Sequence, residues 1–426
     1  MKILIIGSGG REHSIGRKLL QSAEKPELIF APGNPGMALL GNCFEVKAED
    51  LDGQLALAIK EKVDFTIVGP EVPLALGIVD LFQDANLTIF GPTKAAARLE
   101  GSKAFSKDFM SKYQIPTADY QKFKDLQNAE NYLQKTGVPI VIKASGLAAG
   151  KGAVVCITME EAKEALNSML GPNATFGEAG KEVVIEEFME GEEVSLIVIA
   201  DGKNYVLLPT SQDHKRVFDN DLGPNTGGMG AYSPAPVATD DIISQAEKQI
   251  IQPVLKGMIK EGCPYKGVLY AGLMITSEGP KVVEFNCRLG DPEAQVILPV
   301  YQGDFLDLLL TSLKDLSEYQ TVESSRCAAI VVLAAQGYPG TYDKHKEVLG
   351  LESSLPSNVH VIHAGTKAED GKIYSAGGRV IGLIGEGENL PEAIKTVYTA
   401  VDCVTFENAH YRTDIGKKGL ERLEKR

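Results

Sequence analysis

The sequence contains no tryptophan and only six cysteines, none of which forms a Cys-x-x-Cys pair. The cysteines are Cys43, Cys156, Cys263, Cys287, Cys327 and Cys403. This sparse usage argues against a disulfide scaffold and against a cysteine-based zinc site. It predicts free thiols in a reducing compartment, so we expect a cytoplasmic protein.

The sequence also lacks a long hydrophobic run and an excess of positive charge. Its longest apolar run, AAIVVLAA at 328–335, is too short to cross a bilayer, and the N-terminal MKILIIG lacks the extended apolar segment of a signal peptide. The formal net charge of −14 argues against nucleic acid or anionic membranes as general partners. A few lysines and one metal ion would still bind phosphates in a pocket.

The composition that remains is typical of a globular protein of about two to four domains. The 426 residues are 44% hydrophobic and 23% charged. Over residues 1–91, short apolar runs alternate with helix-like segments, which predicts βαβ units and a mostly parallel sheet. Three strand ends carry turns, where such sheets bind ligands. These turns are GSGGREH at 7–13, APGNPG at 31–36 and GPE at 69–71.

The order of apolar runs divides the chain into five predicted parts, which make it a multidomain α/β and α+β protein. An N-terminal α/β substrate-binding domain covers 1–100, and a helical connection covers 101–118. A small α+β unit follows over 119–190, a larger unit over 191–325, and a C-terminal domain over 326–426. We see no internal repeat.

The most informative stretch is VVEFNCRLGDPEAQ at 282–295. Glu284, Asn286 and Arg288 recur at every second position of a predicted strand, so all three point to one face. Two oxygen ligands suit a hard divalent ion that also binds nucleotide phosphates, and arginine binds carboxylates or phosphates. Taken alone, Glu-x-Asn fits an edge strand with a solvated face better than a metal site, but the Arg-x-Gly-Asp-Pro-Glu extension favours a site.

A glycine-rich turn in VIKASGLAAGKG at 141–152 carries two lysines. Lys143 lies in a predicted strand, and Lys151 follows glycines that let backbone amides approach a polyphosphate. The turn is not a Walker loop, and a lone strand lysine is also often an edge residue. The next strand end carries Glu186 and Glu187, with Glu193 beyond it. These acids fit a ribose site or a solvated acidic hairpin.

The polar segment SQDHKRVFDNDLGPNTGGMGAYSPAP at 211–236 is too long for a simple connector, and such loops are commonly functional or disordered. Asp213, Lys215 and their neighbours offer charge, and the glycines at 226–230 offer flexible closure. His214 is one candidate general base, although an exposed loop histidine is the commoner case. No Ser-His-Asp or Cys-His arrangement can be recognised.

The turn GSGGREH raises the alternative of a dinucleotide-binding enzyme. A helix N-terminus after this turn would suit a phosphate. However, Glu12 occupies the third glycine position of the dinucleotide motif, and the second strand lacks the acid that binds a ribose. A substrate phosphate therefore fits better than a nicotinamide or flavin cofactor.

In their order and spacing, these motifs resemble one family, the phosphoribosylamine–glycine ligases of the ATP-grasp superfamily, over essentially the whole chain. The motifs that carry the resemblance are GSGGREH, PGN, GPE, KASGLAAGKG, SQDHKR, PNTGGMGAY, EFNCRLGDPE and HYRTDIG. The resemblance implies an ATP-grasp fold with a parallel α/β N-terminal domain and a small mixed α/β C-terminal domain. It also implies ATP-dependent joining of glycine to 5-phosphoribosylamine through glycyl phosphate, in purine synthesis.

The resemblance further implies a role for each candidate residue. The residues expected to bind ATP are Lys103, Lys143, Lys151, Glu186, Glu187 and Glu193. The residues expected to hold Mg²⁺ or Mn²⁺ are Glu284 and Asn286. The residues expected to bind phosphoribosylamine are Gly9, Gly10, Asn34, Glu71, Gly228 and Asp291. The residues expected beside glycine and the reacting phosphate are Asp213, Lys215 and Arg288. We expect a monomer with at most transient contacts to neighbouring purine-pathway enzymes.

The sequence leaves the number of metal ions and the acceptor amine open. The strand YAGLMIT at 270–276 lacks an acid that many ATP-grasp enzymes place there, so Glu293, water or phosphate would complete the metal shell. The rivals are a ligase with another acceptor and a nucleotide-binding regulator without activity. Retention of Lys143 together with Glu284, Asn286 and Arg288 argues against the regulator.

Overall fold

A computed structural model describes residues 1–148, 152–321 and 325–425. Lys151, one of the predicted ATP-binding residues, lies outside these ranges. No helix within the described ranges is long and apolar enough to cross a membrane.

The N-terminal unit is a five-stranded parallel sheet in the order β3-β2-β1-β4-β5, as the alternating apolar runs predict. In β1 the side chains from Ile3 to Ile6 are all fully buried, because a parallel sheet is covered on both faces. The strands are β1 Lys2–Gly7, β2 Glu27–Pro32, β3 Asn42–Cys43, β4 Phe65–Val68 and β5 Ile89–Phe90. The helices are α1 Gly10–Leu19, α2 Leu51–Glu61, α3 Glu71–Leu76 and α4 Ile78–Asp84.

Two helices, α5 Lys94–Gly101 and α6 Lys103–Lys112, follow the first sheet, and only α6 lies wholly within the helical connection predicted over 101–118. The break falls at Ser102, whose extended backbone ends α5 and whose hydroxyl accepts a hydrogen bond from Phe105 N (3.2 Å). Serine competes for backbone donors in this way at helix N-termini. The break lets α6 begin at Lys103, beside the small sheet.

The small unit is a four-stranded sheet in the order β6-β9-β7-β8, with two helices packed on it. The β-branched and alanine side chains of β7 and β9 form its core with α7 and α8. The strands are β6 Tyr120–Phe123, β7 Ile140–Ala144, β8 Ala153–Cys156 and β9 Val183–Glu187. The helices are α7 Leu126–Thr136 and α8 Met159–Leu170.

The larger unit is built on an antiparallel sheet in the order β11-β10-β16-β17. Between β16 and β17 the register shifts after Gly272, which pairs with Glu284. The strands are β10 Glu192–Asp201, β11 Tyr205–Leu207, β16 Lys266–Thr276 and β17 Gly279–Asn286. The helices are α9 Asp240–Ala246, α10 Gln252–Lys260, α11 Glu293–Val300 and α12 Phe305–Ser312, and a π-helical turn joins α9 to α10.

The polar segment 211–236 is ordered, and it adds two strands to the C-terminal sheet, whose order is β12-β15-β18-β22-β19. Chain parts expected in two different units therefore share one sheet. The strands of the segment are β12 Gln212–Asp213, β13 Arg216–Phe218, β14 Leu222–Asn225 and β15 Gly230–Ser233. The C-terminal elements are β18 Cys327–Ala334, β19 Val359–His363, β20 Thr366–Glu369, β21 Lys372–Ser375, β22 Arg379–Gly387, α13 Leu390–Val401 and α14 Lys417–Glu424.

Candidate active site

A cavity of about 520 Å³ lies where the two sheets of the middle region, the N-terminal unit, α5, α6 and the C-terminal sheet meet. Its charged lining alternates cations with carboxylates, a composition suited to phosphates and a metal ion. The charged lining residues are Arg11, Glu71, Glu100, Lys103, Lys107, Lys143, Glu186, Glu187, Glu193, Asp213, Lys215, Glu284, Arg288, Asp291, Glu293 and Arg379.

Lys103, Lys107 and Lys143, which we call the lysine cluster, line the cavity beside the small sheet. Lys143 Nζ donates to Glu186 Oε2 (2.9 Å) and to Val283 O (3.0 Å), so it joins β7 to β17. Lys107 Nζ lies 3.1 Å from the same Glu186 oxygen. Because two cations share one carboxylate, the lysine cluster keeps an excess of positive charge for phosphate.

Lys103 stands at the first turn of α6. Its backbone N–H donates to Ser145 O (2.8 Å), which ties the helix to the end of β7. Burial lowers the pKa of Lys103, although Glu284 opposes the shift, and burial lowers the pKa of Lys107 to about 8. The sequence gives no separate motif for Lys107, but its position one helical turn after Lys103 places both on one face.

Glu284 and Asn286 lie on β17 and point into the cavity, as the strand alternation predicts. No described residue donates a hydrogen bond to the Glu284 carboxylate. Burial raises its pKa, but Lys215, Lys143 and Lys103 outweigh that effect and hold the pKa below its usual range. An ionised carboxylate beside an amide oxygen is a donor set for a hard divalent ion. Among the described residues no cluster of three acids, histidines or cysteines forms a complete metal site, so phosphate oxygens or water would complete the shell.

Arg288 lies just after the end of β17 and is paired with two carboxylates. Its Nη2 is 3.1 Å from Glu100 Oε1, and its Nε is 3.4 Å from Glu71 Oε2. Glu293, at the start of α11, instead accepts a hydrogen bond from Tyr270 OH (2.9 Å). The sequence does not single out Glu100, which reaches this cluster from α5.

Asp213 and Lys215 enter the cavity from β12 and the residues after it. Lys215 Nζ donates to the Glu193 carboxylate. Burial raises the pKa of Asp213 to about 7, with Glu293 and Glu193 adding to the rise and Lys215 opposing it. Burial alone would lower the pKa of Lys215, but Glu193 and Asp213 raise it. The pair therefore places a titratable acid beside a permanent cation.

His214 lies between these two residues but is 2% exposed and is not among the residues that line the cavity. The alternative of an exposed loop histidine is therefore wrong. Burial and the positive charge of Arg412 lower the pKa of His214 to about 3. A neutral, enclosed imidazole of this kind belongs to the packing beneath the site.

In the first N-terminal turn, GSGGREH at 7–13, a side chain of the turn itself already binds a backbone amide. Gly9 N–H donates to Glu12 Oε2 (2.6 Å), so a glutamate in the first turn of α1 binds the amide of the N-cap residue. Asn34 Nδ2 donates to Ser8 O (2.9 Å) and to His363 O (3.0 Å), and so joins the second turn to the C-terminal sheet. Of the residues predicted for phosphoribosylamine, Glu71 and Asp291 line the cavity, whereas Gly9, Gly10, Asn34 and Gly228 are not among its lining residues.

Arg379, at the start of β22, is a cavity residue that the sequence does not reveal. Its Nη1 donates to Gly227 O (2.9 Å) and Asp291 O (2.8 Å), and its Nη2 lies 3.2 Å from Asp291 Oδ2. It thereby joins the glycine turn of the polar segment to the turn after β17. Only the three-dimensional pairing of the two turns identifies it, since 88 positions separate Arg379 from Asp291.

Three family models match the chain in succession. They are described as the phosphoribosylglycinamide synthetase N domain over 1–100, the ATP-grasp (A) domain over 101–294 and the C domain over 328–418. Among curated proteins, the chain is 49% identical to phosphoribosylamine–glycine ligase of Vibrio vulnificus over all of both chains. It is also 49% identical to the Escherichia coli K12 protein of the same name over 99% of each.

Solved structures agree with the fold. The chain matches phosphoribosylamine–glycine ligase of Thermotoga maritima with a TM-score of 0.84 and 35% identity, over 97% of this chain and all of that one. It also matches biotin carboxylase of Campylobacter jejuni with a TM-score of 0.74 and 13% identity, over 100% of this chain and 98% of that one. The second likeness extends to the fold alone.

Proposed function

Because this chain belongs to the phosphoribosylglycinamide synthetase family, also named phosphoribosylamine–glycine ligases, we propose which of its residues carry the reaction. The chain is an ATP-dependent ligase that joins glycine to 5-phosphoribosylamine, and the products are glycinamide ribonucleotide, ADP and phosphate. The step belongs to de novo purine synthesis. The observation that carries our residue assignment is that the lysine cluster shares one cavity with Glu284, whose low pKa favours an ionised carboxylate and which accepts no hydrogen bond from the described residues.

In the first step a glycine carboxylate oxygen attacks the γ-phosphorus of ATP, which forms glycyl phosphate and releases ADP. A carboxylate is a poor electrophile, so this activation has to precede amide formation. Lys103 and Lys143 bind the phosphates and neutralise the charge that develops on them. We propose that Glu186 orients the lysine cluster through its contacts with Lys143 and Lys107, and that Glu187 and Glu193 bind the adenine and ribose.

Glu284 and Asn286 fit a divalent ion, and we propose that they hold Mg²⁺ or Mn²⁺ against the ATP phosphates. The ion supplies charge neutralisation to the phosphoryl oxygens. Glu284 and Asn286 would be the ion's two protein ligands, and magnesium at a nucleotide site usually has so few.

In the second step the sugar amine attacks the carbonyl carbon of glycyl phosphate and displaces phosphate. We propose that Lys215 and Arg288 neutralise the departing phosphate and that Asp213 takes the proton that the amine loses. We propose that Lys151, which lies outside the described residues, binds the ATP phosphates. Exclusion of water from the cavity would protect glycyl phosphate.

We further propose that phosphoribosylamine binds at the N-terminal side of the cavity, against Glu71 and Asp291 and the turns behind them. A phosphate at Gly9 and Gly10 would compete with the Glu12 carboxylate for the Gly9 amide. Asn34 and Gly228 would shape this side through the contacts of their turns. The chain is proposed to work as a cytoplasmic monomer with at most transient contacts to neighbouring pathway enzymes.

An assay of ADP release tests the assignment of substrates. ADP formation should require glycine, freshly prepared phosphoribosylamine and a divalent ion together, because the cavity joins a nucleotide site to a separate acceptor side. The measurement is coupled ADP release with each component omitted in turn. Equal rates with unrelated primary amines would contradict the acceptor and favour the rival ligase with another amine.

A further inference from the structure

The motif HYRTDIG at 410–416 has no place in the reaction described above, yet it contains the largest fully buried side chain in the described structure. Arg412 is 1% exposed. A guanidinium is rarely buried so completely unless every donor is used. Its partners therefore indicate what the segment does.

Arg412 binds the polar segment directly after Lys215. Its Nη1 donates to Arg216 O (3.0 Å) and to Asp221 Oδ1 (2.9 Å). Its Nε and Nη2 donate to the two oxygens of Asp414 at 2.7 and 2.8 Å, a bidentate pair within the 410–416 segment. The guanidinium thus fixes the backbone one peptide away from a cavity residue.

The neighbours of Arg412 extend the same contact along 214–221. His410 Nε2 lies 2.8 Å from Val217 O, and Thr413 N donates to Asp219 Oδ1 (2.9 Å). Asp414 Oδ2 accepts from Asn220 N (2.8 Å), and Gly416 N donates to His214 Nε2 (3.4 Å). Five residues of the 410–416 segment therefore contact six of the eight residues from His214 to Asp221.

The other side of the 410–416 segment rests on regular structure. Tyr398 OH, from α13, donates to Arg412 O (2.9 Å) and accepts from Ile415 N (2.9 Å). His410 exchanges two backbone hydrogen bonds with Ala334 of β18, at 2.7 and 2.8 Å. The segment is thereby a rigid bridge between the C-terminal core and the strands β12 and β13, which are too short to orient side chains alone.

We propose that the 410–416 segment is a positioning element for the second step of the reaction, and that Arg412 is its central positioning residue. It holds Asp213 and Lys215 against glycyl phosphate and the incoming amine without touching either. This inference rests on the roles proposed above for Asp213 and Lys215. Side chains that act on a reacting centre need such support, since small displacements from productive geometry lower rates steeply.

The test compares Arg412→Met with Val397→Ala in the full-length chain. Val397 is fully buried in α13 and has no polar side-chain atom, so its truncation destabilises the C-terminal core while it leaves the hydrogen bonds of the 410–416 segment in place. We expect Arg412→Met to lower kcat by roughly 10- to 100-fold with little change in the KM for ATP, because the lysine cluster lies on other elements. ADP release should also exceed amide formation, since misplaced groups leave glycyl phosphate to hydrolyse. Added guanidinium ion should partly restore coupling in Arg412→Ala.

Thr413→Val is the milder variant if the arginine variants do not fold, because it removes only the hydroxyl that donates to Asp219. It should shift the ratio of ADP to amide in the same direction. The positioning role would be overturned if a folded Arg412→Met kept wild-type kcat and coupling. It would also be overturned if Val397→Ala lost coupling to the same extent at an equal fall in Tm. Lys215→Met and Asp213→Asn distinguish a failure of the roles proposed for Lys215 and Asp213 from a failure of the positioning role alone. If both keep wild-type kcat, the proposed roles fail and the positioning role fails with them. If both lose kcat while Arg412→Met does not, the positioning role alone fails.

Discussion

Glu284→Gln is expected to lower kcat by at least about 10³-fold, because it removes the anionic oxygen of the metal pair at a site where developing phosphate charge has to be neutralised. Glutamine keeps the size of the side chain, and the wild-type carboxylate accepts no hydrogen bond from the described residues, so no donor loses its partner. The fold should therefore persist. Burial raises the pKa of Glu284, but the positive charges of Lys215, Lys143 and Lys103 outweigh that effect. They hold the pKa low and keep the carboxylate ionised at neutral pH.

Two measurements separate a metal role from general damage. Titration of Mn²⁺ in the presence of ADP, followed by electron paramagnetic resonance, should give weaker binding in Glu284→Gln than in the wild type. Glu278→Gln is the matched control, since Glu278 lies in the turn that joins β16 to β17 but is exposed, and its ion pair among the described residues is with Lys281 at the surface. Full activity of Glu284→Gln at limiting magnesium would remove Glu284 from the metal site.

The elements of the fold that the sequence predicts well are those set by local patterns. The apolar run of β1 and its turn predict a parallel sheet with ligand sites at the strand ends, and the structure confirms the sheet. Alternation along β17 places Glu284 and Asn286 on one face, which needs only the two-residue period of a strand.

The features that the sequence does not predict depend on contacts between distant parts of the chain. Glu100 and Arg379 reach the cavity from α5 and β22, and neither carries a local signal of function. The polar segment looks like a flexible closure because it is rich in glycine, but its backbone hydrogen bonds are satisfied by β18 and by the 410–416 segment. Such long-range pairing overrides local composition.

A similar limit applies to the glycine-rich first turn. The sequence predicts free amides for a phosphate, whereas Glu12 binds the Gly9 amide from three residues further on. A glutamate three residues after the N-cap can reach back to the N-cap amide, and this spacing is visible in the sequence. The prediction of a phosphate at this turn therefore has to account for displacement of an internal carboxylate.

The pH dependence of the reaction should depend on Asp213. If the carboxylate takes the proton from the attacking amine, kcat should rise with pH through a midpoint near 7, because burial together with Glu293 and Glu193 raises the pKa of Asp213 to about 7. Asp213→Asn should lower kcat by about 10²- to 10⁴-fold, the usual contribution of a general base, and should abolish this limb of the profile. Persistence of the limb in Asp213→Asn would assign the titration to another group.

Lys215→Met tests the electrostatics of the same pair. Lys215 opposes the rise in the pKa of Asp213, so its removal should move the midpoint above 7 as well as lower kcat. The Lys215 charge also pairs with Glu193, and Glu193→Gln should move the midpoint the other way, because Glu193 raises the pKa of Asp213. Opposite shifts in these two variants, measured under identical metal and ATP saturation, are expected only if the titrating group lies between them.

The pH dependence of folding stability tests the pKa of Asp213 independently of kcat. The pKa of Asp213 is raised above its unfolded value, so the stability contributed by its protonated form is present below the unfolded pKa of 3.8 and is lost as pH rises through about 7. Asparagine cannot ionise, so Asp213→Asn avoids this loss. Its Tm relative to the wild type should therefore be higher at pH 8 than at pH 4, in a scan without nucleotide or metal. A Tm difference that does not change between these pH values would mean that Asp213 ionises near its ordinary pKa, and the proposed proton transfer would lose its physical basis.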